Sequence, residues 1–259
     1  MLSFIGLGLW DERDITIKAL EEARKCDKVY AEFYTSKMGV ETEKIERMIG
    51  KKITVLEREE VEDGEKLLEE AEKLHVCLLT AGDPMAATTH VDLRIRAIER
   101  GIKTKVYHGI SIVSASASLL GLQIYKFGRV ASIVKPSENY FPLSPYDVIK
   151  ENTMAGMHSL LLLDISDECM EANEAMELLL EMEKRKKGGI ITTDTLVAVV
   201  ARVSSDDALA RAGYIKDLIK EDFGRTPHSL IIPGKLHFME AKALVTIAKA
   251  PKEIMNLVI

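Results

Sequence analysis

The sequence has 259 residues, which suits one large domain or two of ordinary size, and we interpret it as two. Its formal net charge of −6 disfavours nucleic-acid binding, because an extended phosphate backbone calls for a basic surface. The sequence predicts no signal peptide, and no apolar run approaches the roughly 20 residues that span a bilayer. Three widely spaced cysteines without metal-ligand spacing favour thiols in a reducing cytoplasm, and no metal site is predicted.

The chain begins with a predicted strand at residues 2–5, followed by a glycine turn and a helix. Gly6 and Gly8 allow another segment to approach the backbone closely at the end of this strand, beside the loop that follows residue 79. Asp11 or Asp14 is expected to cap the helix, which runs to about residue 24. Because the third glycine of a dinucleotide fingerprint is missing, the turn is weak support for a nicotinamide cofactor.

Four more strands are predicted at residues 28–33, 53–56 and 76–79 and around Val106. Helices are predicted between them at residues 64–74 and 92–100. The run at 76–79 has no polar alternation, which is typical of a strand buried on both faces of a parallel sheet. The alternation of strands and helices over the first 120 residues therefore predicts a parallel α/β domain.

The loop at residues 80–84 is the segment around which the chain is organised. It contains small residues, the carboxylate of Asp83, and Pro84, which cannot continue a strand ladder. Ligands of open α/β sheets bind outside the carboxyl ends of the strands, so the loop is predicted to line a binding cleft. The alternative is that Gly82, Asp83 and Pro84 only turn the chain.

A serine-rich stretch at residues 108–121 suits the start of a helix that packs closely on the sheet. Ser111 and its neighbours are able to offer hydroxyls and backbone N–H groups to a carboxylate or a ribose. The alternative is that these serines only cap and pack the helix.

The second half is predicted to be a mixed α/β domain. Strands are predicted at residues 130–134, 159–163 and 229–232, helices at 173–187 and 239–248, and a hairpin from 190–192 and 196–203. The Met and Leu stripe of the helix at 173–187 is interpreted as core. Tyr140 and Phe141 lie in the turn-rich loop at 136–145, where they either contact a substrate or pack within the protein. The predicted fold is thus two α/β domains, at residues 1–124 and 125–259.

The glycine turn, the loop with Gly82, Asp83 and Pro84, and the serine-rich helix start together resemble the tetrapyrrole methylase superfamily. Within that superfamily, eight segments spread from Ile5 to His237 resemble more closely the methyltransferases of diphthamide biosynthesis. They are IGLGLWDERDIT, AEFYTS, GDPMAATTH, IYKFG, YDVIKEN, ANEAMELLL, RAGYIKDLI and PHSLIIPGKLH.

The resemblance implies a homodimer whose chains bind S-adenosylmethionine in a cleft that the second domain closes. It implies translation elongation factor 2 as the protein substrate, with the amino group of its aminocarboxypropyl-histidine methylated to diphthine. By position, the residues expected to contact the methyl donor are Leu9, Asp83, Ala86, Ser111, Ile112, Leu163, Ser204, His228 and Ser229. Ser204 stands where the family commonly has glycine, and Ala86 where it often has a larger apolar residue.

Asp83 is interpreted as a hydrogen-bond acceptor for the ribose or amino group of the donor, and no catalytic base is assigned. Other members of the superfamily methylate a corrin or porphyrin ring carbon, or ribosomal RNA. The eight segments disfavour the ring, and the acidic balance disfavours the RNA. A nucleotide-binding interaction module without catalysis is the alternative from a different class. Neither a nucleic acid nor a membrane is an expected partner.

Overall fold

The computed structural model describes residues 1–166, 168–256 and 258. The chain forms two compact units, Met1–Ile112 and Val113–Ile259. The domain boundary predicted between residues 124 and 125 lies further along the chain than this division.

The first unit is built on a five-stranded parallel sheet, as the alternating pattern predicts. Its elements, in chain order, are β1 (Leu2–Gly6), α1 (Ile17–Lys25), β2 (Lys28–Glu32), α2 (Thr42–Ile49), β3 (Ile53–Val55), α3 (Arg58–Asp63), α4 (Glu65–Ala71), β4 (Val76–Thr80), α5 (His90–Glu99) and β5 (Thr104–Tyr107). The strand order across the sheet is β3-β2-β4-β1-β5. Strand β4 is therefore central, between β1 and β2.

The burial of β4 on both faces explains its unbroken apolar run. All five of its residues are buried. Leu78 belongs to a hydrophobic cluster on one side of the sheet, whereas Cys77 and Leu79 belong to a second cluster on the other side. Because successive strand residues point to opposite faces, the sheet is covered by core on both faces, and the prediction for this strand is confirmed.

The helix predicted after the glycine turn begins later than expected. Asp11 caps only a short 3-10 turn, Glu12–Asp14, by accepting the Arg13 N–H at 2.8 Å. Helix α1 is capped instead by the hydroxyl of Thr16, which accepts the Ala19 N–H at 3.2 Å. The carboxylate of Asp14 is not a cap of α1, since it turns back to the N–H groups of the glycine turn.

The second unit is built on a five-stranded mixed sheet, as predicted. Its elements are α6 (Ile112–Leu120), which begins at the last residue of the first unit, and then β6 (Ala131–Ile133), α7 (Ser144–Met154), β7 (Ser159–Leu163), α8 (Ala172–Lys186), β8 (Leu196–Ala201), β9 (Leu209–Tyr214), α9 (Ile215–Leu218), β10 (His228–Ile232) and α10 (Phe238–Thr246). The strand order is β6-β7-β10-β8-β9. Strand β10 is antiparallel to both β7 and β8, and only β6 pairs in parallel.

The predicted hairpin of residues 190–192 and 196–203 is wrong. Strand β8 pairs with β9, a segment that the sequence did not predict as a strand. The N–H groups of Ile190 and Ile191 donate to the carboxylate of Glu183 in α8, at 3.0 Å each. A side chain therefore satisfies the backbone groups that a strand ladder would have used.

Helix α8 covers one face of the second sheet with its apolar stripe. Met176, Leu179 and Met182 are fully buried in the main cluster of this unit, together with Leu161 and Leu230 from the strands. Their interpretation as core is confirmed.

Across the described ranges, none of the helices has both the length and the apolar character that a bilayer crossing requires. All three cysteines are free thiols.

Candidate functional site

Two loops meet at the carboxyl edge of the first sheet, as the glycine pattern predicts. Gly8, after β1, and Gly82, after β4, exchange two backbone hydrogen bonds, with N···O distances of 3.3 and 2.6 Å. Both residues have left-handed φ angles, +83° and +80°, which side-chain-bearing residues rarely adopt. The predicted position of Gly8 beside the Gly82 loop is thus confirmed.

Close backbone packing joins the loop after β5 to the same edge. A Cβ atom on Gly109 would lie 2.2 Å from the carbonyl oxygen of Gly82 and 2.9 Å from the Cα of Gly6. A Cβ atom on Gly6 would lie 2.6 Å from both Gly82 O and Gly109 N. We call these three residues the glycine junction. It holds the loops after β1, β4 and β5 together by main-chain contact.

The side chain of Asp83 stabilises the glycine junction through hydrogen bonds. One carboxylate oxygen accepts the Met85 N–H at 2.9 Å. The other is 2.8 Å from Nδ1 of His108 and accepts the Gly109 N–H at 3.3 Å. The carboxylate therefore orders its own loop and also links it to the loop after β5. Its predicted role as an acceptor for the ribose or amino group of the donor stays a prediction.

The other residues predicted to contact the donor in the first unit flank this junction. The Leu9 N–H donates to Asp14 at 3.2 Å, and the Ala86 N–H donates to the carbonyl of Asp83 at 3.3 Å. Ser111 and Ile112 are half-buried and follow the loop after β5 at the start of α6. Four of the five predicted residues of this unit therefore belong to loops that leave the carboxyl ends of neighbouring strands, and the fifth, Ile112, begins the helix that follows one of these loops.

The four predicted residues of the second unit share one edge of its own sheet. Leu163 ends β7, and Ser204 follows the end of β8. His228 and Ser229 begin β10, where they pair with Ala201 and with the neighbouring strands β7 and β8. Since β10 runs antiparallel to both neighbours, its first residues lie beside the last residues of β7 and β8.

Backbone in the left-handed region marks the loop after β8. Arg202 has φ of +47° and Ser204 has φ of +81°. The value at Ser204 is one that glycine adopts without steric cost, so serine at this position is held in a strained conformation. The guanidinium of Arg202 holds the loop by donating to the carbonyls of Phe223 and Arg225 and to the carboxylate of Asp207.

The ring of His228 is held at both nitrogens by the protein. Nδ1 accepts the Ala172 N–H at the start of α8, at 3.2 Å, and Nε2 donates to the carbonyl of Gly224 at 3.1 Å. Burial lowers the pKa of His228, which favours this neutral ring. Its role as a donor contact stays a prediction, as it does for the other eight residues.

Sequence reasoning missed two buried ionisable residues near the Gly82 loop. Glu32 ends β2 and His90 begins α5, and both side chains are fully buried. Two features of the sequence could have revealed them. Glu32 is a carboxylate at the end of an apolar strand, and His90 is a histidine shortly after the 80–84 loop.

The geometry can be compared with that of known proteins. The profile of the family described as tetrapyrrole (corrin/porphyrin) methylases matches residues 1–219. The chain is similar to the diphthine synthase of Methanocaldococcus jannaschii, with 55% identity over 94% of this chain and 97% of that protein. It is also similar to the diphthine synthase of Methanosarcina mazei, with 49% identity over 99% of both chains.

The fold is also similar to that of a solved protein. A crystal structure of diphthine synthase superposes with a TM-score of 0.91 and 38% sequence identity, covering 99% of this chain and 99% of that chain. The likeness therefore extends over both units, each with its own sheet, and over the loops that carry the candidate residues.

Proposed function

This chain belongs to the tetrapyrrole (corrin/porphyrin) methylase family, and on that premise we propose the reaction that it catalyses. It is a methyltransferase of diphthamide biosynthesis. We propose that it methylates the aminocarboxypropyl-histidine of translation elongation factor 2, with S-adenosylmethionine as donor and in the cytoplasm, where translation takes place. The observation that carries this proposal is the 55% identity to a diphthine synthase over 94% of this chain.

The main task of the protein in this reaction is to align the methyl donor with the substrate amine. Bound S-adenosylmethionine supplies a methyl group on a sulfonium, so that a C–N bond forms as the C–S bond breaks and S-adenosylhomocysteine leaves. The protein has to hold the amine in line and keep water out, and it needs no nucleophile of its own. The substrate amine is primary, with one carbon substituent, and a quaternary ammonium has four. Three methyl transfers are therefore needed.

The carboxyl edge of the first sheet fits a bound nucleoside. A Cβ atom on Gly82 would meet only the carbonyl of Ile110, at 4.0 Å, so this side of the loop is open, whereas Gly6 and Gly109 are tightly packed. Asp83 supplies a carboxylate beside that opening, and Ser111 lies at the start of α6. We propose that these residues, with Leu9, Ala86 and Ile112, hold the donor. The four candidate residues of the second unit are also proposed donor contacts, and substitutions there would be tested separately.

A transfer assay tests the proposed function directly. The protein is incubated with radiolabelled S-adenosylmethionine and, in separate reactions, with elongation factor 2 carrying the aminocarboxypropyl arm, with a tetrapyrrole, and with ribosomal RNA. Label is expected only in elongation factor 2, and none is expected when its target histidine is replaced. Label in the ring or the RNA would contradict the proposed substrate, and donor binding without any transfer would favour an interaction module.

Replacing Asp83 with alanine is expected to weaken donor binding about tenfold to a hundredfold. The variant loses a hydrogen bond to the donor and the links to Met85 and Gly109, and charge-assisted bonds contribute about 1.5–3 kcal/mol each. Isothermal titration with S-adenosylmethionine measures the dissociation constant. Asp92→Ala is the control, since this exposed carboxylate on α5 pairs only with Arg96 among the described salt bridges. An unchanged affinity in folded Asp83→Ala would remove Asp83 from the site.

The resemblance to diphthine synthases also supports a homodimer, which we propose for this chain. Light scattering after size-exclusion chromatography measures the molar mass. A mass that stays at one chain, 28.9 kDa, over a wide range of concentrations would exclude it.

Tyr140 and Phe141 have different surroundings in the loop at residues 136–145. Tyr140 is 61% exposed, and its backbone pairs with that of Ser137. Phe141 packs against the main cluster of the second unit, and the guanidinium carbon of Arg185 lies 3.8 Å from its ring centroid. We therefore propose Tyr140 alone as a contact for elongation factor 2 and assign Phe141 to packing.

Tyr140→Ala is expected to raise the KM for elongation factor 2 about tenfold while the donor dissociation constant stays unchanged, because an exposed aromatic anchor often dominates a transient interface. Phe141→Ala is the contrasting variant. It should lower the free energy of unfolding by about 1–2 kcal/mol through lost packing. Steady-state kinetics and urea denaturation separate the two effects, and a normal KM in Tyr140→Ala would rule out this contact.

A further inference from the structure

A buried carboxylate ends β2 next to the loop that carries Asp83. The side chain of Glu32 is fully buried. One of its oxygens accepts the N–H groups of Tyr34 and Thr35, at 3.1 and 3.0 Å, and the other accepts the Thr35 hydroxyl at 2.5 Å. Glu32 is the register partner of Thr80, the last residue of the central strand. The carboxylate therefore lies at the carboxyl edge of the first sheet.

A buried histidine lies between this carboxylate and the Asp83 loop. His90 is the first residue of α5, and its side chain is fully buried. Its Nδ1 atom is 3.0 Å from the carbonyl oxygen of Pro84, which can only accept, so Nδ1 carries the proton and donates. Nε2 is then without a proton and faces the hydroxyl of Tyr34 at 3.5 Å, which can donate to it. The nearest oxygen of Glu32 is 3.6 Å away and makes no hydrogen bond with the ring.

The carbonyl oxygen of Pro84 accepts two hydrogen bonds. It accepts the hydroxyl of Thr88 at 2.7 Å in addition to the ring of His90. Pro84 directly follows Asp83, so these bonds fix the peptide next to the carboxylate that orders the glycine junction. Ala87, inside the same loop, has a left-handed φ of +59°, a conformation that the surrounding contacts have to maintain.

Stability alone does not account for these residues. Burying a histidine and a carboxylate costs desolvation that apolar residues of similar volume avoid, and such replacements are often neutral or stabilising. Burial lowers the pKa of His90, and it raises the pKa of neighbouring Tyr34 to about 12, an effect that Glu32 adds to. Leucine would fill the position of His90 without this cost, but it would release the carbonyl of Pro84.

We propose that Glu32 and His90 are positioning residues that hold the loop from Pro84 to His90, and through it Asp83, in the conformation that binds the methyl donor. This inference rests on the proposed function, because it assigns the loop to donor binding. Neither residue needs to touch the donor. His90 acts through the carbonyl of Pro84, and Glu32 acts through Tyr34, whose N–H donates to Glu32 and whose hydroxyl faces Nε2 of His90.

His90→Leu and His90→Asn test the proposal. Asparagine places its Nδ2 donor two bonds from Cβ, as histidine places Nδ1, so it can still donate to Pro84. His90→Leu is expected to weaken the binding of S-adenosylmethionine at least tenfold, whereas His90→Asn should stay within about threefold of wild type. At saturating donor, kcat and the KM for elongation factor 2 should change less than threefold in either variant. A general loss of folding would not produce this separation.

The matched control is His158→Leu in the second unit. His158 is also fully buried, and its ring is also held at both nitrogens, here by the carboxylate of Glu240 and the N–H of Gly234, but it precedes β7 at the end of the sheet opposite to Leu163. It should lose stability with little change in donor affinity. If His90→Leu does not fold, His90→Gln replaces it, because its amide lies one bond further from the backbone and is expected to miss Pro84.

Amide hydrogen exchange provides a measurement that does not depend on the donor. The N–H groups of Met85 and Ala86, which donate to Asp83, are expected to exchange at least tenfold faster in His90→Leu than in wild type or His90→Asn. Unchanged exchange and unchanged donor affinity in a folded His90→Leu would overturn the proposal. Wild-type protein that binds no S-adenosylmethionine would instead overturn the proposed function, and the exchange rates would still show whether His90 holds the loop.

Discussion

Gly109→Ala is expected to abolish measurable donor binding and to lower the free energy of unfolding by about 3 kcal/mol, the upper range for overpacking. The added methyl group would lie 2.2 Å from the carbonyl oxygen of Gly82 and 2.9 Å from the Cα of Gly6. Both neighbours are backbone atoms of other segments, so the clash cannot be relieved by a change of rotamer. The loops after β1, β4 and β5 would have to separate.

Gly101→Ala is the control for a glycine substitution in the same unit. Gly101 has a φ of +76°, but no atom lies within 4 Å of its added Cβ, so only the strain of the left-handed backbone remains, about 1–2 kcal/mol. Urea denaturation and titration with S-adenosylmethionine are applied to both variants. If Gly109→Ala bound the donor as well as Gly101→Ala, the glycine junction would not define the site.

Glu240→Leu is expected to lower the free energy of unfolding by about 3–5 kcal/mol, the usual cost of leaving a buried partner charge unpaired. The side chain of Glu240 is fully buried. One oxygen accepts from the Gln123 N–H and from Nε2 of His158, at 3.0 Å each. The other accepts the His237 N–H at 2.9 Å and the ammonium of Lys126. Urea denaturation at neutral pH measures the loss, and a loss under 1 kcal/mol would contradict it.

The same network predicts how stability depends on pH. Burial alone raises the pKa of Glu240, but the bonds from Lys126 and the N–H donors outweigh it and lower the pKa to about 2. The unfolded carboxyl titrates near 4.5, so the stabilisation is present above that pH and is lost as the pH falls towards 2. Burial also lowers the pKa of His158 below 6.5, so protonation of the unfolded chain adds a loss below that pH.

Glu240→Gln separates the two contributions, because the amide does not titrate. Its free energy of unfolding should depend less on pH than that of wild type between pH 4.5 and 2, while the dependence nearer pH 6.5 should remain. Equal slopes for both proteins in the acid range would show that Glu240 does not contribute.

The strands of the two sheets were predictable to different degrees. Val76 to Leu79 lie in a strand covered on both faces, so every residue had to be apolar and the run was visible. Strand β9 forms the edge of its sheet and contains Arg211 and Gly213, so its alternation is weak. The false strand at residues 190–192 has apolar isoleucines, but the carboxylate of Glu183 takes their backbone donors. Periodicity does not reveal such a side-chain partner.

The candidate site was predictable where it depends on chain order. Gly8 and Gly82 follow apolar strands of the same kind, and ligands bind at the carboxyl ends of such strands, so their meeting could be expected. The contact between Glu32 and His90 depends on β2 lying next to β4 in the strand order, which spacing alone does not give. The roles of Leu163, Ser204, His228 and Ser229 came from resemblance, and they stay predictions.

The outer strands of both sheets bear on self-association. In the first sheet, β3 has only three residues, and β5 contains Lys105. In the second sheet, β6 also has three residues, and the Ala212 N–H at the outer side of β9 donates to the carbonyl of Ala248. Short, charged or covered outer strands offer few free backbone groups to another chain. The edges of the two sheets therefore resist the addition of a strand from another chain. Concentrated protein should accordingly be protected from amyloid-like aggregation.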